Sequence, residues 1–198
     1  GNQSSSNTSV VQNNIAISSV GVPPDAKQLG TSNLIATGDA RIQDAKWSNN
    51  ILWTTFGDSC TPSGDTTQRS CVHLVKIDTS GAPLKQQDFL YGINANYLFY
   101  PALAIDGSNN LVVVYGISSS GSYPSLAATS QLFGSTSMQQ QVMLKSGTNS
   151  EGTSRYGDYF GAGVDPGTNQ VWVAGEYHTS STPSYWSTWI QPVDASLN

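Results

Sequence analysis

The chain has 198 residues, of which only 11% are charged, against roughly 25% in ordinary soluble domains, so Ser, Thr, Asn, Gln and Gly must carry its solubility. Thirteen acidic and eight basic residues give a net charge of −5, which repels phosphate backbones and anionic membrane surfaces and excludes nucleic acid as an expected partner. No apolar run approaches the roughly 18 residues that a membrane-spanning helix requires.

Residues 1–14 are rich in Ser and Asn and show no apolar pattern, so they are expected to form a flexible tail. Within them Asn2-Gln3-Ser4 and Asn7-Thr8-Ser9 match the N-glycosylation acceptor pattern, making Asn2 and Asn7 candidate sites. The run at residues 10–20 is strand-like and falls outside the repeat described next.

Three segments align with one another: Ala45 to Trp53, Ile105 to Val113 and Asp165 to Val173. Asn49, Asn109 and Asn169 occupy the same place in each, 60 residues apart. Each copy is a run of small or apolar residues, a tight polar turn, and then a β-branched or aromatic run, which is the signature of a hairpin. Further strands are expected at residues 72–78 and 84–91 in the first unit, 125–132 and 139–145 in the second, and 185–193 in the third. Helix has no support, because Gly, Pro, Ser and Asn interrupt the chain about every ten residues and no 3.6-residue periodicity is sustained.

These patterns predict a flexible tail at 1–14 and one all-β domain at 15–198, built from three blade-like four-stranded units at about 31–91, 92–150 and 151–198. The third unit ends before its fourth strand, and residues 10–20 are expected to supply it. Such units suit a β-propeller. Three blades leave an open arc, so a second copy or another chain is expected to complete the ring; a threefold β-trefoil or β-prism is the alternative.

Cys60 and Cys71 flank a polar loop between two strand-like runs. A disulfide closing that loop is expected, worth about 3 kcal/mol and implying an oxidising, extracellular compartment; two unrelated buried thiols are the alternative. His73 and His178 stand alone in sequence and read as structural or surface residues. No metal site and no cofactor is expected.

The stretch Arg155-Tyr156-Gly157-Asp158-Tyr159, with Val164-Asp165-Pro166, Val171-Trp172 and Glu176-Tyr177, resembles a motif of secreted prokaryotic sialidase-like β-propeller repeat proteins. Tyr100-Pro101-Ala102-Leu103-Ala104-Ile105-Asp106, followed by Ser120-Gly121-Ser122-Tyr123-Pro124-Ser125, looks like the preceding blade, and together the two stretches cover about half the chain. The resemblance implies architecture and says little about activity. Sialidases bind a carboxylate with three arginines, and this chain has Arg41, Arg69 and Arg155, but the Asp box of that family is missing. Arg155 and Asp158 therefore read as a salt bridge pinning the start of a strand.

Of the two glutamates, Glu176 follows an apolar strand in an aromatic setting, where a raised pKa would suit a catalytic acid. It is the one catalytic candidate. No Gly-x-Ser-x-Gly nucleophile elbow is present. Tyr100, Tyr123, Tyr159 and Trp186, near predicted strand ends, are the candidate ligand-binding rings, suited to stacking on sugars. The functional expectation is a secreted or cell-surface, non-catalytic protein of recognition or assembly, with glycan as the first ligand considered and a sialidase-like glycoside hydrolase as the alternative.

Overall fold

The computed structural model describes residues 12–81, 85–180 and 185–197, with the side chains of 85–89 left aside. Asn2 and Asn7 lie outside the described residues. Among these residues the fold is all-β, with no helix and three open antiparallel sheets, none closed into a barrel. The first sheet contains β1 (Asp44–Ser48), β2 (Ile51–Cys60), β3 (Arg69–Asp78) and β4 (Lys85–Tyr91). The second contains β5 (Tyr97–Ile105), β6 (Leu111–Ser119), β7 (Ser122–Gln131) and β8 (Val142–Lys145), and the third β9 (Gly161–Val164), β10 (Val171–Tyr177) and β11 (Ser187–Val193). Each is a meander in which sequential strands are neighbours.

The 60-residue spacing reappears in the backbone. Asn49, Asn109 and Asn169 all have positive φ (47°, 65° and 59°) and all sit in the turn joining the first two strands of their sheet. Asparagine enters the left-handed region more easily than most residues because its short polar side chain can hydrogen-bond locally. The first turn is a two-residue Asn49-Asn50 hairpin with both φ positive, as a type I′ turn demands. In the longer turns an aspartate organises the loop: Asp106 accepts the N–H groups of Ser108 and Asn110, and Asp165 accepts the Gly167 N–H and the Thr168 hydroxyl. Successive turns also touch, since the Ser48 hydroxyl donates to Asn109 Oδ1 at 3.1 Å and the Asn169 side chain rests against Gly107.

The sheets stack in chain order. Between the first and second lie Trp53, Val72 and Leu74 on one side and Leu103, Leu111, Val113 and Tyr115 on the other. Between the second and third, Ala104, Val112, Val114 and Leu126 meet Val171, Val173 and Val193. Strand β6 is thus buried on both faces, odd residues one way and even residues the other, which is why it reads as an unbroken apolar run. The third sheet buries only one face. Its other face presents Trp172 and Ile190 to solvent, with Gly163, Trp172 and Pro192 in one cross-strand row and Gly161, Ala174 and Ile190 in another.

Two expectations are corrected. Residues 12–20 form no strand, so they do not complete the third sheet, which has three strands among the described residues. Residues 31–43 form no strand of the first sheet either, although the Gln43 N–H bonds the Thr55 carbonyl of β2 at 2.9 Å. The segment 20–43 instead straps the end of the stack opposite the Asn turns. It is pinned by Gly21 N–H to Asp58 (2.7 Å), Leu29 N–H to the Ser122 carbonyl (3.1 Å), the Ser118 hydroxyl to the Lys27 carbonyl (2.8 Å) and Ala36 N–H to the Ser154 carbonyl (2.9 Å). Gln28 exchanges two hydrogen bonds with the Glu151 backbone. Ala26 and Ile35 of the strap pack on Tyr97, Phe99, Tyr100 and Tyr156. With turn-forming Gly and Pro along it and only one isolated bridge, Ala26 to Ile35, the strap follows the surface it covers rather than a ladder.

Cys60 and Cys71 form a disulfide, with Cα atoms 5.9 Å apart, across the neck of the β2–β3 hairpin. Both histidines prove to be structural: His73 Nδ1 lies 2.8 Å from Asp58 and His178 Nδ1 3.3 Å from Glu151, all four side chains being buried. Among the described residues no helix is long and apolar enough to cross a membrane.

Candidate functional site

The strap and the loop at 151–160 meet over β5, and between them lies a cavity of about 420 Å³ lined by Gly38, Asp39, Arg41, Tyr100, Arg155, Asp158 and Tyr159. A smaller cavity, about 160 Å³, is lined by Arg155, Tyr156, Gly157, Asp158, Glu176 and Trp186. Arg155 and Asp158 wall both, so the two adjoin at that pair.

The arginines of this region are already paired with aspartates. Arg41 Nε bonds both carboxylate oxygens of Asp39, at 2.7 and 2.9 Å, and holds that carboxyl below the usual carboxylate range. Arg155 Nη2 bonds Asp158 Oδ2 at 2.8 Å, as the sequence spacing suggested. Exposed pairs of this sort add little stability, but they fix a row of donors and acceptors along the rim. The third arginine, Arg69, is bonded to Asp65 in the disulfide-bounded loop and lies over the Tyr97 ring. Each arginine therefore has its own aspartate.

Tyr100 sits at a bulge in β5 with φ +53°, and its ring lies against Gly38 while its hydroxyl donates to the Ala36 carbonyl at 2.7 Å. Burial, then the nearby Asp158, holds its phenol well above the ordinary value. It is a buried wall of the cavity. Tyr159 is the reverse, 89% exposed. Trp186 is 59% exposed beside the smaller cavity. Tyr123 lines neither cavity: its half-buried ring packs over Gly30 near Ser150.

Glu176 stands on β10 opposite Thr188, nearly buried, with its carboxyl accepting the Gly157 N–H. Burial is the main cause that pushes its pKa up to about 7, and the negative charges of Glu151 and Asp158 add to the shift while the Gly157 hydrogen bond opposes it. The absent side chain of Gly157 makes this approach possible, because any Cβ there would overlap the carboxylate. Next to it the Tyr156 hydroxyl is buried without a hydrogen-bond partner, its phenol raised well above the usual range by burial.

The structure thus unites Tyr100, Tyr159, Trp186 and Glu176 around Arg155 and Asp158, and leaves Tyr123 apart. Asp39 and Arg41 were not foreseen as site residues. In a chain with so few charges, two closely spaced Arg/Asp pairs were the available signal. Compared with protein-family models, with curated proteins and with solved structures, the chain matches none. No kinship to sialidase-like proteins is shown, and the chemistry of the site must carry the functional reading.

Proposed function

We propose that the strap end of the stack is a glycan-binding site and that the protein is a secreted, non-catalytic recognition or assembly protein. The supporting observation is the placement of two largely exposed rings, Tyr159 and Trp186, on either side of the bonded Arg155–Asp158 pair. A sugar ring offers an apolar face for stacking and a fringe of hydroxyls, and this surface offers flat rings beside fixed polar edges. The Cys60–Cys71 disulfide is compatible with an extracellular setting.

A glycan array followed by calorimetry on the best hit tests the reading. Tyr159→Ala and Trp186→Ala should each weaken binding by about tenfold, the scale of a truncated aromatic contact, without changing the melting curve. Full affinity in both variants would remove the site. The hydrolase alternative draws on Glu176, and turnover of the same glycans, lost on Glu176→Gln, would establish it in place of simple binding.

For architecture, we propose that the three sheets are consecutive blades of a larger propeller. The open face of the third sheet supports this, because Trp172 and Ile190 occupy the side that on the second sheet is covered by its successor. A second copy or another chain would cover it. The far face of the first sheet is less available, since Phe56, His73 and Val75 are already buried there. Sedimentation of the purified chain, with Trp172→Ser and Ile190→Ser as controls, distinguishes a monomer from an assembly built on that face.

A further inference from the structure

Glu176 is more than nine-tenths buried, yet it forms part of the wall of the smaller cavity. The groups around it supply no positive charge of their own to match it. From the loop at 151–158 come two carboxylates, Glu151 and Asp158, and the Tyr156 phenol. Arg155 comes from the same loop, but its guanidinium is bonded to Asp158 and its side chain is 80% exposed. His178, two residues further along the chain, is paired with Glu151. Across the cavity stands the exposed indole of Trp186. Among the described residues, none forms an ion pair with Glu176.

A buried carboxyl lacking a cation, beside an open indole, is complementary to an ammonium group: the carboxylate provides charge and hydrogen bonds, and the ring face adds a cation–π attraction. We propose that the Glu176–Trp186 cavity binds the free amine of an amino sugar, so that the preferred glycan is a cationic, non-acetylated one. The proposal rests on the glycan reading and narrows its ligand class. Burial and two acidic neighbours favour the protonated carboxyl. An entering ammonium restores the preference for the ionised form, so binding expels that proton to solvent. The three arginines, each already held by an aspartate, offer no competing site for an acidic sugar.

The experiment is calorimetry at pH 6.5, in two buffers of different ionisation enthalpy, on three tetrasaccharides: β-1,4-glucosamine, its N-acetylated counterpart and β-1,4-glucose. The amino tetramer should bind about tenfold tighter than the other two and release a fraction of a proton. Glu176→Gln, nearly isosteric, should abolish both the preference and the proton release while binding of the glucose tetramer persists. Trp186→Phe, a second and milder change, should reduce the preference. Equal binding of all three tetramers, or a preference that survives Glu176→Gln, would overturn this inference and leave the glycan reading standing. Binding of Nα-acetyl-lysine methylamide with none of the tetramers bound would instead make the site a peptide-ammonium site and defeat both readings, as would failure of every probe.

Discussion

Asp58 and His73 are joined at 2.8 Å inside the protein, and the second oxygen of Asp58 takes the Gly21 N–H at 2.7 Å, so one carboxylate links a histidine of β3 to the strap. Phe56 stacks on the same imidazole, with ring centroids 4.5 Å apart. Asp58→Ala would leave the buried imidazole and the half-buried Gly21 N–H without this partner. It should cost about 3 kcal/mol in urea unfolding and increase proteolysis within 20–43. A loss under about 1 kcal/mol would show that the carboxylate is replaceable.

The Cys60–Cys71 bridge closes a short loop and should contribute about 3 kcal/mol. Replacing both cysteines by serine should lower the unfolding free energy by that amount, and thiol titration of the denatured protein should find no reactive thiol before reduction. Gly92 packs directly on the two sulfurs, where a Cβ would come within 2.7 and 2.8 Å of them. Gly92→Ala should therefore destabilise the oxidised protein more than the doubly substituted one, read as a difference in melting temperature.

Because the folded-state pKa of Glu176 is raised, from an ordinary 4.5 to about 7, the folded protein binds more protons than the unfolded chain between those values. Its contribution to stability is fully present below about pH 4.5, declines as pH rises towards 7, and is constant above that. Unfolding measured from pH 4 to 8 should show this downward slope, and Glu176→Gln should flatten it. Parallel profiles for the two proteins would contradict the assignment.

Asn49 and Asn50 both hold positive φ in the first hairpin turn. Asn49→Gly should be nearly neutral, whereas Asn49→Val should cost about 1–2 kcal/mol because the branched side chain resists the left-handed region. Equal melting temperatures for the two variants would show that the turn can rearrange.

Strand positions were largely legible in the sequence because they depend on local signals: the Asn-containing turns, the β-branched runs of 111–114 and 171–173, and the polar breaks between them. The disulfide was legible for the same reason, as both cysteines flank one hairpin. The strap was not. Its residues form no ladder with one another and are placed by bonds to Asp58, Ser118, Ser122, Glu151 and Ser154, and a contact across about ninety or more residues leaves no periodic trace. The site inherited this blindness. Tyr159, Trp186 and Glu176 were visible as residue types near strand ends, but Arg41 and Asp39 reach the cavity only because the strap carries them there. Tyr123 lies apart from the other rings, because the chemistry of a ring gives no sign of whether a glycine, here Gly30, will lie beneath it.

The strap also constrains the order of events when the chain folds. It precedes every sheet in the sequence, yet its partners at Ser118, Ser122, Glu151 and Ser154 lie from about ninety to more than a hundred residues downstream. On a ribosome it must wait, unpaired, while the first and second meanders form from nearby contacts. Docking it closes the longest loops in the molecule and is entropically the costliest step. The sheets can therefore assemble one by one, and the larger cavity, much of whose wall is strap, is the last part of the protein to come into being.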